Sequence, residues 1–195
     1  MNTQADVLEA DGINADDIKS MARCVKSGDP DNIEAQAARR YWSRMMRPIE
    51  PEFSRNSNQD GINGWLNYGY TVLRAATARS ILAAGLHPSL SIHHSSRGEA
   101  LRLASDIMEP FRPYTDLIVK RVAEKNNPSQ IELTPELKAA IVRVLTLDLI
   151  GPSGASPVQT CLDRLCQSLA KVCLKEAQKL ELPQGLALPS GSMVL

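Results

Sequence analysis

Apolar residues along this chain recur mostly at intervals of three and four, the period of an α-helix with one face in a core. The clearest run spans residues 63–84. There Leu66, Tyr70, Leu73, Thr77, Ile81 and Ala84 fall on one face, and Gly85 supplies the stop. Asp16 can cap a helix reaching about Lys26, ended by Ser27-Gly28. Asp29-Pro30-Asp31 opens the next, from Asn32 to about Met46. Ser96-Arg97-Gly98-Glu99 has the capping-box pattern, so a helix is predicted from near Gly98 to about Glu109, where Pro110 and Pro113 disturb it. Three more are predicted at about 114–125, 135–150 and 157–180. Strand alternation is weak throughout. Residues 48–60 read as a loop, 86–96 as a turn with a short extended piece, and 126–129 and 151–156 as linkers. The pattern predicts an all-α bundle of about seven helices, one domain over residues 1–182, with a loose tail at 183–195.

Length and composition agree with that. The 195 residues (21.3 kDa, 43% hydrophobic, 23% charged) suffice for a buried core. No stretch approaches the roughly 18 apolar residues of a membrane span, and the polar, acidic start is unlike a secretory signal. Cys24, Cys161, Cys166 and Cys173 form no CxxC pair. They read as small hydrophobes in a reducing cytosol, the last three packing on one helix.

Charge changes the picture more. The net charge is zero, yet residues 1–33 hold seven acids and three bases, and residues 34–125 hold nine acids and thirteen bases. Eleven of those thirteen are arginine, and the same block holds every histidine and every aromatic residue. Such a block suits an anionic ligand, although solvated helix faces have the same composition. Trp65, Tyr68 and Tyr70 are expected in the core rather than stacked on bases. Lys171, Lys175 and Lys179 read as a solvated row.

Three segments could carry chemistry. GDPDNIEAQAARRYW (28–42) places Glu34 in the first turn of a helix rich in small residues, where it can face inward or simply favour the helix dipole. IHHS (92–95) offers His93 and His94, whose rings leave an extended chain on opposite faces. DIMEPFRP (106–113) puts Asp106 and Glu109 on one helix face, as a divalent-metal pair or a solvated acidic patch. In one straight helix the fifteen residues from His94 to Glu109 would span about 22 Å. The two can share a site only if the chain doubles back, with His94 on an arm folded alongside the helix. Two carboxylates and an imidazole suit Mg²⁺ or Mn²⁺. Beside an arginine-rich surface, such an ion points to phosphodiester chemistry.

In that order and at those distances, GDPDNIEAQAARRYW, NGWLNYGYTVLRAATARSILAAGLHPSLSIHH (63–94) and LASDIMEPFRP (103–113) resemble Cas1, the spacer-acquisition integrase of CRISPR systems, in its type II flavour. The resemblance covers about residues 4–180. It implies that Glu34, His94 and Glu109 are the metal ligands and catalytic residues, with Asp106 a supporting acid and Mg²⁺ or Mn²⁺ the cofactor. It implies a cytoplasmic prokaryotic enzyme that joins 3′-hydroxyl ends of short DNA to CRISPR repeat ends, as a homodimer around the small subunit Cas2. Arg39, Arg40, Arg44, Arg74, Arg97 and Arg112 are then expected to contact DNA phosphates. The family carries an N-terminal β-rich domain, and this sequence reads as the helical catalytic domain without it. That leaves a non-catalytic DNA-binding or assembly module as the alternative. A helical interaction protein with incidental carboxylates and histidines is a third reading.

Overall fold

In a computed structural model, which describes residues 1–92, 100–126 and 132–187, the chain is mostly helical but not all-α. The α-helices are α1 (Asn2–Ala10), α2 (Asp16–Cys24), α3 (Ile33–Met45), α4 (Ile62–Ala83), α5 (Arg102–Met108), α6 (Arg112–Lys125), α7 (Pro135–Val142) and α8 (Val158–Cys173). A 3-10 turn, Glu109–Phe111, joins α5 to α6, and another, Arg143–Thr146, follows α7. The strands β1 (Asp148–Gly151), β2 (Gly154–Pro157) and β3 (Gly185–Leu186) form a small antiparallel sheet in the order β2-β1-β3.

The sheet corrects the expectation of a helix over 135–150 and a linker over 151–156. The helix stops because the burial pattern changes period: Leu149 is buried between exposed Asp148 and Ile150, the alternation of a strand with one covered face. Pro152-Ser153 then closes a two-residue hairpin between the paired Gly151 and Gly154, the latter at φ +92°. The chain from Pro183, read as a tail, supplies β3, with Leu186 opposite Leu149. Residues 188–195 lie outside the described residues. Helix α8 also ends early. Lys175 is left-handed at φ +62°, so Lys171, Lys175 and Lys179 do not form a helical row, and Cys173 is exposed while Cys161 and Cys166 are buried. Helix α1, with Ala5, Val7 and Leu8 buried, had no predicted counterpart.

Helix α4 runs through the centre with Trp65, Leu66, Leu73 and Ile81 buried. It ends as its sequence demands. Gly85 is left-handed at φ +75°, and Leu86 N–H reaches back to Ile81 C=O at 3.0 Å. Beside it, α6 is buried along nearly its whole length, from Tyr114 to Ala123. The two helices approach closely at Gly69, where a Cβ would collide with Thr115 Cγ2 and stand 3.1 Å from Ile141 Cγ2. Thr115 is β-branched and buried, so it cannot swing away. Gly69→Ala is therefore expected to cost about 1–3 kcal/mol in urea unfolding. Gly64→Ala on the same helix, with no atom near its Cβ, is expected to gain up to about 1 kcal/mol.

Candidate active site

The GDPDNIE segment builds a helix start. Gly28, Asp29 and Asn32 all take left-handed backbone angles, at φ +78°, +42° and +53°. Aspartate and asparagine tolerate that region better than most residues. The turn swings the Asp29 carboxylate under α3, where Oδ1 accepts from Ile33 N–H at 2.8 Å and Oδ2 from Glu34 N–H at 2.9 Å. Two orphan donors of the first turn are satisfied. Glu34 is exposed rather than facing the interior, and with Ala38 and Trp42, one turn apart, it forms a wall of a cleft.

The doubling back required of the histidine arm is present up to its last described residue. After α4 the chain returns along α5, pinned twice: Leu103 N–H donates to Pro88 C=O at 2.8 Å, and Ile92 N–H donates to Asp106 Oδ2 at 2.7 Å. Ile92 thus sits beside Asp106, one helical turn from Glu109, and all three line one groove. His93, His94 and Arg97 lie outside the described residues, as does the capping box of residues 96–99; α5 itself begins at Arg102. Asp106 therefore acts as a tether in this structure. Asp106→Ala is expected to speed amide hydrogen exchange at Ile92 about tenfold or more, and Asp106→Asn, which keeps an acceptor oxygen, to retain most of the protection.

Glu109 is the first residue of the turn between α5 and α6. Its Oε1 accepts from Arg112 Nη1 at 2.7 Å. Arg112 lies over the Tyr70 ring, 4.4 Å from the centroid, and Arg55 stands 5.4 Å from the same centroid. Arg55 is itself held by Asn63 Oδ1 at 2.9 Å and Asn67 Oδ1 at 2.7 Å. Beneath them is Asp116, only 2% exposed. Tyr41 Oη donates to its Oδ2 at 2.8 Å, and Tyr70 Oη donates to its Oδ1. Burial pushes the Asp116 carboxyl up to about 6, against the two tyrosine hydrogen bonds and the nearby Arg112 and Arg55 charges, which pull it down. Burial first, then the Asp116 charge, drives both phenols well above their ordinary range.

These groups line two clefts that meet at Glu109. One, of about 650 Å³, is bounded by the start of α1, Glu34, Trp42, Arg55, Tyr70, Glu109, Arg112 and Pro183. The other, of about 480 Å³, lies on the far side of Tyr70, Glu109 and Arg112 and is lined by Asn67, Thr71, Arg74 and Ser105. Glu34 and Glu109 converge on the first. Both raise the pKa of the Met1 amino group, although burial has the larger effect and holds it below its ordinary value.

The arginines divide. Arg74 and Arg112 stand on the clefts. Arg39 is exposed on α3, its Nε 3.4 Å from the Ala35 carbonyl. Arg40 and Arg44 are tied to Asp17 of α2, Arg44 through both nitrogens at 2.7 and 2.9 Å and Arg40 at 2.8 Å. The two guanidiniums hold the Asp17 carboxyl well below its usual range. Sequence reading did not single out Asp116 or Arg55, and it took Tyr70 as core only.

The model of the CRISPR-associated protein Cas1 family matches residues 7–142. The chain belongs to the Cas1 family. It is 36% identical to the CRISPR-associated endonuclease Cas1 of Neisseria meningitidis, over 88% of this chain and 55% of that protein. It is 29% identical to a second CRISPR-associated endonuclease Cas1 from Pyrobaculum aerophilum, over 79% of this chain and 52% of that protein. It thus spans about half the length of these relatives. Among solved structures its fold matches a Cas1 protein from Thermotoga maritima, with TM-score 0.67, 16% identity, and 90% and 64% of the two chains covered. It also matches a casposase bound to its integration product, with TM-score 0.65, 22% identity, and 86% and 55% covered.

The donor set fits a hard divalent cation as far as it is described. Two carboxylates from distant parts of the chain reach one polar cleft, and carboxylate oxygens beside one imidazole suit Mg²⁺ or Mn²⁺. Among the described residues no group of three His, Cys, Asp or Glu stands together, and the third donor implied by the family, His94, lies outside them. Among the described residues no helix is long and apolar enough to cross a membrane.

Proposed function

We propose that this chain is the catalytic part of a metal-dependent DNA integrase of CRISPR adaptation, serving antiviral defence. It joins the 3′-hydroxyl ends of short foreign DNA to the ends of a CRISPR repeat. The observation that carries this reading is the convergence of Glu34 and Glu109 on one cleft, with the arm leading to His94 tethered beside them at Asp106. The Cas1 endonuclease relatives and the DNA-bound casposase neighbour support it.

In the reaction the attacking 3′-oxygen forms a new bond to a target phosphorus and gives up its proton. The bond from that phosphorus to the target strand's 3′-oxygen breaks, and that oxygen leaves as a hydroxyl after taking up a proton. One phosphodiester replaces another, so no external energy source is needed. Glu34, His94 and Glu109 would hold a divalent ion, which would supply Lewis-acid polarisation of the phosphoryl group and ease deprotonation of the attacking hydroxyl. Arg112, on the wall shared by the two clefts, and Arg74, on the second, offer donors to non-bridging oxygens. Arg112 reaches Glu109 and phosphate from one place, because stacking on Tyr70 fixes its plane. Arg39 and Arg97 extend the phosphate-binding surface. Arg40 and Arg44 reach DNA only by sharing or releasing Asp17. A homodimer around Cas2, with double-stranded DNA as substrate, completes the proposal.

The test is strand transfer by the purified chain from a short duplex with 3′-hydroxyl ends into a supercoiled plasmid. Joining in Mn²⁺, its loss in EDTA and its loss in His94→Ala are the expected results. Unchanged joining in His94→Ala overturns the ligand assignment. Salt-sensitive DNA binding without joining by the unaltered chain favours the non-catalytic module.

A further inference from the structure

The Asp116 carboxylate joins three helices at one buried point. It accepts from Tyr41 Oη of α3 at 2.8 Å through Oδ2 and from Tyr70 Oη of α4 through Oδ1, and it belongs to α6 itself. Each helix leads to the cleft. Tyr41 follows Glu34 by seven residues, two turns of α3, so the two side chains leave the helix on the same side. The Tyr70 ring carries Arg112, and Arg112 grips Glu109 at 2.7 Å. The cluster therefore connects Glu34 to Glu109 through consecutive hydrogen bonds, one stacked cation and two turns of helix. Apolar side chains of the same shape would fill this space without the cost of burying a carboxylate. A buried carboxylate with one tyrosine on each oxygen instead fixes direction. It sets how α3 is rotated and how far it stands from α6, which hydrophobic packing specifies only loosely.

We propose that Tyr41, Asp116 and Tyr70 are positioning residues that hold Glu34 and Glu109 at the separation one divalent cation requires. They act through Glu34 and Glu109 and are not themselves ligands of the cation. The inference rests on the metal-dependent reading above. It predicts that loosening the cluster weakens metal binding more than it weakens the fold.

The experiment uses the 195-residue chain with Tyr41→Phe, Tyr70→Phe, Asp116→Asn and Asp116→Leu. Mn²⁺ binding is read from the electron paramagnetic resonance signal of free Mn²⁺, stability from melting in EDTA, and strand joining as a function of Mn²⁺ concentration. Each phenylalanine variant keeps its ring and loses one hydrogen bond, and is expected to bind Mn²⁺ about tenfold or more weakly. The Mn²⁺ concentration for half-maximal joining should rise by the same factor, with the rate at saturating Mn²⁺ far less affected. Asp116→Asn keeps one oxygen to accept and gains an amide to donate, so it is expected to stay within about threefold of the parent, whereas Asp116→Leu loses both bonds. Parental Mn²⁺ affinity in both phenylalanine variants overturns the inference and leaves the metal-dependent reading standing. Failure of the parent chain to bind Mn²⁺ overturns both.

Discussion

Glu109→Gln is expected to lower strand joining at least about a hundredfold while leaving the melting temperature nearly unchanged. The side chain is about half exposed, so no buried packing is lost. Glutamine has the same shape, and its carbonyl oxygen can still accept from Arg112 Nη1. What disappears is one negative charge facing the cleft. On the proposed reading that charge would help hold the ion, and preorganised charge of this kind is worth about 3–4 kcal/mol, hence a factor of a hundred or more. Glu34→Gln is expected to behave alike, since it faces the same cleft from α3 and leaves the Asp29 cap intact. On the proposed reading the two carboxylates hold one ion and act as a unit, so the double variant should be little worse than either single one. Glu52→Gln, an exposed carboxylate outside both clefts, should join DNA at the parental rate. Parental joining by Glu109→Gln would remove Glu109 from the site.

Much of this arrangement was legible in the sequence where local signals are strong. The face of α4 and its Gly85 stop follow from helical periodicity and the need for a left-handed residue. Glu34 and Glu109, singled out from distant segments, line one cleft, and the arm expected to fold back alongside the helix does so as far as Ile92, where Asp106 holds it. Other parts depend on tertiary partners that no local pattern encodes. Residues 135–150 keep enough helical period to hide a strand, because β1 is specified by pairing with β2 and β3 rather than by its own composition. Arg40 and Arg44 read as phosphate donors, yet their nearest anion is Asp17, on a separate helix brought alongside only by folding. Asp116 is the hardest case. Its signal is one acid within Tyr-Thr-Asp-Leu-Ile-Val, a segment apolar enough to be buried whole. Reading it requires the tyrosines of α3 and α4, 75 and 46 residues away.

That burial sets the second large effect, a stability that falls as the solution is brought from pH 4 towards neutrality. The Asp116 carboxyl lies at about 6 in the folded chain against an ordinary value of 3.8. Between those values the folded state holds a proton that the unfolded state has released. Stability from this group is therefore complete below about pH 3.8, is lost as the pH rises through 6, and is constant above. The difference of about two pKa units corresponds to about 3 kcal/mol. Other carboxylates titrate in the same region, and the Arg44 and Arg40 guanidiniums push Asp17 the opposite way. The contribution of Asp116 is isolated by subtracting Asp116→Asn, which retains the tyrosine contacts and has no proton to release. Urea unfolding at pH 4, 5, 6 and 7 should show the parent losing about 2.4 kcal/mol relative to the variant, most of the full effect. Parallel curves for the two chains would mean that the tyrosine bonds offset burial fully and that Asp116 ionises as freely when folded as when unfolded. In that case the helices would be joined at a permanent charge. A carboxylate near 6 has a different consequence: acidification strengthens the fold at the point where α3, α4 and α6 meet.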